Sequence, residues 1–387
     1  MNLEREGNLT VGADGASTSQ QVRVGVGAAR YLGVDIALDL GDLHPTGHAA
    51  LMLDLQVAKG IIQTADPIVG FLHRSTEKLF EARDYRQILM LANRHDWLSA
   101  FHGELGVALV VEQALGLAPP ERATWARTLL AEFTRITALL LLLEPIAPDL
   151  LRWRENFVST QQEATGNRVH PMITRIGGLA RPLDMEWLTR AGALVSALQV
   201  DWSEVVAGAT QAVRTQRGIA VLSTADAASY GVTGPVGRAS GLHLDLRIDP
   251  GYLAYPLLEP VSVDFPDAAG DAEARYLHLL SEIQVSLDLV QQCIAVVRSM
   301  GAGPVDVALP KVLRAPEGSW YLRVEGPLGS VGYLLVSTAE RTPWRLKLRT
   351  PSFSHAQALV AALPGTPMDR LADALRSMFL VVGDIDR

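Results

Sequence analysis

Residues 271–300 constrain the fold more than any other stretch. Leu277, Leu280, Ile283, Leu287, Val290 and Ile294 recur at steps of three and four, the spacing of one helix face. Such a stripe must be buried against other elements, and the chain supplies further segments of helical period at 77–92, 96–115, 120–143, 149–165 and 183–215. Pro119-Pro120 separates two of them, with Pro120 near a helix start where its missing N–H costs little. Pro145 and Pro148 end that group. Shorter helices are expected at 224–230, 354–363 and 368–378. Before residue 76 the period is two. Leu51, Leu53, Leu55 and Val57 share one side of a strand, Lys59-Gly60 supplies a turn, and 61–64 pairs back as a hairpin. Residues 22–43 alternate weakly. Strands are expected again at 321–325, 333–337 and 344–349, while 175–182 and 231–270 carry the Gly and Pro of turns and extended loops. The expected class is α+β, a helical core with small β-hairpin and sheet elements. Its expected segments are a disordered tail over 1–20, a β region over 21–75, and a helical core over 76–387 with C-terminal β and loop elements.

Composition narrows the function classes. The 387 residues are 48% hydrophobic and carry a net charge of −8, so no basic excess exists to neutralise nucleic acid. The lone cysteine, Cys293, excludes a disulfide framework and any cluster held by this chain's own thiolates. A reducing, cytoplasmic compartment is expected. The apolar run 139–143 lies between Arg135 and Glu144 and is too short to span a bilayer. Gly25-Val26-Gly27-Ala28-Ala29-Arg30 starts like a dinucleotide turn but lacks its third glycine, so nicotinamide binding is not expected there.

Chemistry concentrates first at Leu40-Gly41-Asp42-Leu43-His44-Pro45-Thr46-Gly47-His48. Gly41, Pro45 and Gly47 keep two imidazoles in a loop. A loop histidine can donate a hydrogen bond, carry a proton or bind a metal. A metal site needs more ligands than this segment offers, and none is expected.

Several blocks carry a family resemblance. They are Leu40-Gly41-x-x-His44-Pro45-x-x-His48, Ala65-Asp66-Pro67-x-x-Gly70-x-Leu72-His73-Arg74, and Gly234-Pro235-x-x-Arg238-x-Ser240-Gly241 with Asp245-Leu246-Arg247. Further blocks are Pro343-x-Arg345-x-Lys347-x-Arg349-x-Pro351-x-Phe353-x-His355 and the ending Gly383-Asp384-Ile385-Asp386-Arg387. Over residues 40–387 the chain resembles the D subunit of respiratory complex I. This is the 49-kDa-type subunit of NADH–quinone oxidoreductase, related to nickel–iron hydrogenase large subunits. The Cys-x-x-Cys pairs that hold nickel and iron in those hydrogenases are missing.

The resemblance implies a hydrogenase-large-subunit-like fold and a role in a quinone chamber shared with a B subunit, which carries the terminal 4Fe-4S cluster. NADH would be oxidised elsewhere in the complex, and this chain would hold no cofactor of its own. Implied partners are the B, C and membrane-arm H subunits, with the chain peripheral on the cytoplasmic side of the membrane and proton translocation coupled to the reaction. His48 matches the quinone-contacting histidine and Asp149 its acidic partner; Asp149 also reads as a helix cap after Pro148. His44 and Pro45 shape the loop. Arg94 and His170 match residues near the partner's cluster. Asn93-Arg94-His95-Asp96-Trp97 stands where the family has Asp-Arg-x-Asp-Tyr, so Trp97 occupies the second quinone contact. That departure, with shortened segments at 149–170 and 303–326, leaves an alternative. The chain would then be a divergent structural paralogue in a partial or specialised complex, with an altered acceptor or no ordinary quinone reduction.

Overall fold

The structure, a computed structural model, describes residues 19–25, 34–38, 50–259 and 268–387. His44, Pro45 and His48, the tail over 1–18 and the glycine turn after Gly25 lie outside the described residues. Strands β1 (Gln20–Val24), β2 (Ile36–Leu38), β3 (Met52–Ala58) and β4 (Ile61–Ile68) form one sheet in the order β2-β1-β3-β4. The expected hairpin is β3–β4. Its turn holds Lys59 at φ 52° and Gly60 at φ 74°, the double positive-φ geometry of a two-residue hairpin. Leu53, Leu55 and Val57 face inward and are buried, as the alternation requires.

The helical part follows. Helices α1 (Thr76–Glu81) and α2 (Ile88–His95) replace the single helix expected over 77–92. The Asp84 carboxylate accepts from the backbone N–H groups of Arg86 and Gln87, a local bond that competes with helix. Tyr85 is buried in the break, with its hydroxyl on Ser337. Helix α3 (Ala100–Leu115) starts four residues later than expected, because Asp96 accepts from Leu98 and Ser99 N–H in the same way. Helices α4 (Glu121–Leu142), α5 (Leu150–Thr165) and α6 (Met185–Val213) follow the sequence pattern closely. A two-residue hairpin pair, β5 (Thr174–Arg175) and β6 (Gly178–Leu179), lies in the expected turn region. After α7 (Thr224–Ser229), the stretch read as extended loops contains a helix, α8 (Gly234–Ala239). Gly234 sits at φ 65°, and a Cβ there would meet the Leu328 carbonyl oxygen at 2.3 Å, so tertiary contact decides this turn.

Helix α9 (Ala272–Ser299) is capped by Asp271, which accepts from Ala274 N–H at 2.9 Å. It is long and apolar enough to cross a membrane by length and composition, but 61% of its most apolar stretch is buried, against α4 and α6 among others. Strands β7 (Gly318–Gly326), β8 (Gly329–Ser337) and β9 (Arg345–Arg349) form an antiparallel meander. Helices α10 (Pro351–Ala362), α11 (Leu371–Ser377) and α12 (Val382–Ile385) end the chain. Helix α10 begins three residues before the expected start, with Pro351 in its first turn. The class is α+β, as expected.

Two apolar clusters meet at α3. Phe101 and Leu105 belong to the one built around α4, α6 and α9, whereas Val107, Ala108 and Val111 join α2 and the β7–β9 sheet. Close approach is needed on both sides. A Cβ at Gly103 would lie 2.4 Å from the Ala92 carbonyl oxygen, and one at Gly106 would lie 2.0 Å from the Tyr333 ring.

A charged network crosses the first cluster. Glu132 on α4 accepts from Tyr255 Oη at 2.6 Å, Ser286 Oγ at 2.7 Å, Arg135 Nε at 3.1 Å and Arg247 Nη1 at 3.3 Å. Arg247 also pairs with Asp245 and with Glu282 on α9, and Arg238 on α8 pairs with Glu282 and with Glu325 on β7. Arginine charges outweigh desolvation at Glu132 and hold its carboxyl down to about 2. Replacing Glu132 by Ala removes the carboxylate shared by Arg135 and Arg247 and leaves the buried Tyr255 and Ser286 hydroxyls without their acceptor. We expect a loss of about 3–5 kcal/mol of stability, read by chemical denaturation of the full chain; a loss under about 1 kcal/mol would show the network to be dispensable.

Candidate functional site

The last turn of α2 is held from below by a buried amide. Asn93 Nδ2 donates to the Ala100 carbonyl at 3.1 Å and to Glu104 Oε2 at 2.8 Å, while its Oδ1 accepts from Arg94 Nη1 at 2.6 Å. Glu104 Oε1 accepts from the N–H groups of Ile173 and Thr174 at 3.1 and 3.0 Å. One carboxylate thus ties α2, α3 and the 167–174 segment together. That segment is shaped by Asn167, whose Oδ1 accepts from Val169 and His170 N–H.

His170 Nδ1 lies 3.1 Å from the Asn93 carbonyl oxygen. A carbonyl only accepts, so Nδ1 carries the proton and Nε2 is left as an acceptor. Burial, and then the neighbouring Arg94 charge, push the His170 imidazole below its ordinary value. Arg94 itself is exposed at the helix end. Arg94 and His170, 76 positions apart, are therefore brought together.

Trp97 is half-buried three residues on, packed against the main core. It lines a cleft with Leu98, Phe101, Thr134 and Thr137 of α4, and Arg154 and Gln161 of α5. Arg168, Val169 and Pro171, on either side of His170, close the rim. The cleft measures about 30 Å³, room for a water molecule. Arg154 and Arg168 are the cations lining it, and burial pushes the Arg154 guanidinium below the ordinary value.

Asp149 occupies the N-cap position of α5 but is exposed and makes no capping bond. Its expected partner His48 and the loop residues His44 and Pro45 lie outside the described residues. Among the described residues no group of three or more His, Cys, Asp or Glu could hold a metal ion. Cys293 is buried on α9, and burial drives its thiol far above the ordinary value. The site thus gathers Arg94, Trp97 and His170. Sequence reasoning missed Asn93, Glu104, Arg154 and Gln161 as its supports. One signal was present: Glu104 interrupts an apolar run on α3 that otherwise has no reason to carry a charge.

Burial pushes the Glu104 carboxyl up to about 7, against the hydrogen bonds from Thr174, Asn93 and Ile173 that lower it. The folded state therefore holds a proton that the unfolded chain releases near 4.5. This contribution is fully present below pH 4.5 and is lost as pH rises through about 7, on the order of 3 kcal/mol at most. In the Glu104→Gln variant the fall of Tm over that window should be shallower than in the parent chain. Parallel Tm curves would remove the assignment.

Comparison with known proteins identifies the family. A family profile described as the 49 kDa subunit of respiratory-chain NADH dehydrogenase matches residues 149–313 and 308–387. An NADH–quinone oxidoreductase D subunit of Salinispora tropica, numbered 2 in that organism, is 45% identical over 381 residues, covering 95% of this chain and 97% of that protein. The NADH–quinone oxidoreductase D subunit numbered 1 in Streptomyces coelicolor is 44% identical, covering 95% and 99%. Its counterpart in Bacillus anthracis is 32% identical, covering 91% and 98%. The chain belongs to the 49 kDa subunit family of respiratory-chain NADH dehydrogenase, the D subunits of NADH–quinone oxidoreductase.

Proposed function

We propose that this complex I subunit forms the quinone-reducing end of its complex. With a B subunit it would enclose the chamber where quinone receives electrons from that partner's 4Fe-4S cluster, coupled to proton translocation. The observation that carries the reading is the approach of Arg94 and His170 beside a cleft lined by Trp97 and by the neighbours of His170, Val169 and Pro171. The chain would sit peripherally on the cytoplasmic side of the membrane, against the B, C and H subunits. It would hold no cofactor, with quinone as substrate and NADH oxidised elsewhere in the complex.

Quinone reduction needs two electrons and two protons, so donors must face the ring oxygens. His48 is the candidate donor, with Asp149 favouring and orienting its charged form. Arg94 and His170 would lie near the partner's cluster, where the positive charge and N–H donors of Arg94 raise its potential. Trp97 would pack on the quinone ring. Its indole N–H donates but releases no proton in the working pH range, unlike a tyrosine hydroxyl.

That substitution favours a second reading, a structural paralogue without ordinary quinone reduction. Two variants of the assembled complex separate them. His48→Ala should lower quinone reductase activity by roughly 10²-fold or more, and near-normal activity sinks the chamber reading. Trp97→Tyr should raise the rate if the missing hydroxyl limits protonation. A parent complex that reduces no quinone would support the paralogue.

A further inference from the structure

Behind the Trp97 cleft lies a buried group of acids that the reading above does not use. His95 Nδ1 pairs with Asp384 Oδ1 of α12 at 3.0 Å, and both side chains are almost wholly buried. Helix α12 comes so close to the end of α2 that a Cβ at Gly383 would lie 2.7 Å from the His95 carbonyl oxygen. Asp384 Oδ2 also accepts from Ser352 N–H. Asp96, next in sequence, is 3% exposed, and its Oδ1 accepts from the backbone of Leu98 and Ser99, so it is bonded to the wall of the cleft. Two buried polar atoms here have no partner, Asp96 Oδ2 and His95 Nε2. A buried carboxylate oxygen without a donor is costly unless it takes up a proton.

We propose that Asp96, with His95 and Asp384 beside it, is a buried proton-uptake site that compensates negative charge arriving on a quinone packed against Trp97. The proposal rests on the quinone reading. An electron from the partner's iron–sulfur carrier enters the substrate. One proton from bulk water adds to Asp96 Oδ2, the new O–H bond using a lone pair of that oxygen, and no bond of this chain is oxidised or reduced. The protons that form the quinol O–H bonds come from His48 and water.

The surroundings fit this use. Burial, then the charge of Asp384, push the Asp96 carboxyl up to about 6, and His95 acts in the other direction. Two further titratable groups couple to the trio: Tyr333 of β8, whose hydroxyl is driven up by burial first and then by Asp384 and Asp96, and His355 of α10, whose imidazole burial pushes down. Neither supplies a countercharge near neutral pH. A further negative charge on the quinone raises the carboxyl by about one unit more, which carries it into the working range.

The test is the reaction-induced infrared difference spectrum of the assembled complex, reduced with NADH in the presence of quinone. A carboxylic C=O band should appear on reduction and be missing in Asp96→Asn, whose amide oxygen can still accept from Leu98 and Ser99. The pH at which the band is half formed should fall by about one unit in Asp384→Asn, which removes a like charge. It should rise by a similar amount in His95→Gln. An unchanged band in Asp96→Asn overturns the proposal, as does a half-formation pH that moves in neither of the other two, which carry the test if Asp96→Asn does not assemble. A parent complex that reduces quinone without showing the band overturns this proposal alone. A parent complex that reduces no quinone overturns the functional reading and the proposal with it.

Discussion

The buried carboxylate of Glu132 is the interaction on which the rest of the molecule depends. It collects Arg135 from its own helix, Arg247 from the loop after α8, and the hydroxyls of Tyr255 and Ser286. Through Arg247 and Arg238 the same network reaches Glu282 on α9 and Glu325 on β7. Arg135 completes the link by donating to the Glu325 and Gly326 carbonyls at 2.7 and 2.9 Å. Four carboxylates face three guanidinium groups here. Burial pushes the Glu325 carboxyl up, the direction that relieves the excess of one negative charge. Such a network adds little net stability over apolar packing, yet each member is costly to remove alone. Its effect is to fix the relative placement of α4, α8, α9 and the C-terminal sheet.

That fixed frame gives α3 two firm neighbours. Gly103 and Gly106 allow the Ala92 carbonyl and the Tyr333 ring to touch the α3 backbone, so the end of α2 cannot drift. Asn93 and Glu104 then carry this rigidity into the 167–174 segment through side-chain bonds. A site built from one helix end and one irregular segment gains its precision from these supports. The chain's last residues add another: the Asp386 carboxylate accepts from Gly70 and Leu72 N–H at 2.7 and 2.8 Å, binding the end of the chain to the stretch after β4.

Within the rim, charge is divided unevenly. His170 is pushed toward the neutral form by burial and by Arg94, while Arg94 stays exposed and charged. One face therefore offers a fixed cation, and beside it a neutral ring whose tautomer is set by the Asn93 carbonyl. Arg154 and Gln161 line the same cleft as Trp97. An indole donates a hydrogen bond but releases no proton in the working pH range.

Local pattern determined the helices and strands that satisfy their own period. The stripe on α9, the proline boundaries of α4 and the Lys59-Gly60 turn needed no tertiary information, because periodic burial and positive-φ turns are written in residue type. The ordered blocks also carried the family. The helix at Gly234 and the roles of Asn93 and Glu104 were decided by the fold alone. A buried acid becomes a strap only when its partners arrive from elsewhere in the chain. The same holds for Asp96: residue type made it an acid, but burial in the fold, and then the charge of Asp384, 288 residues away, raise its proton affinity.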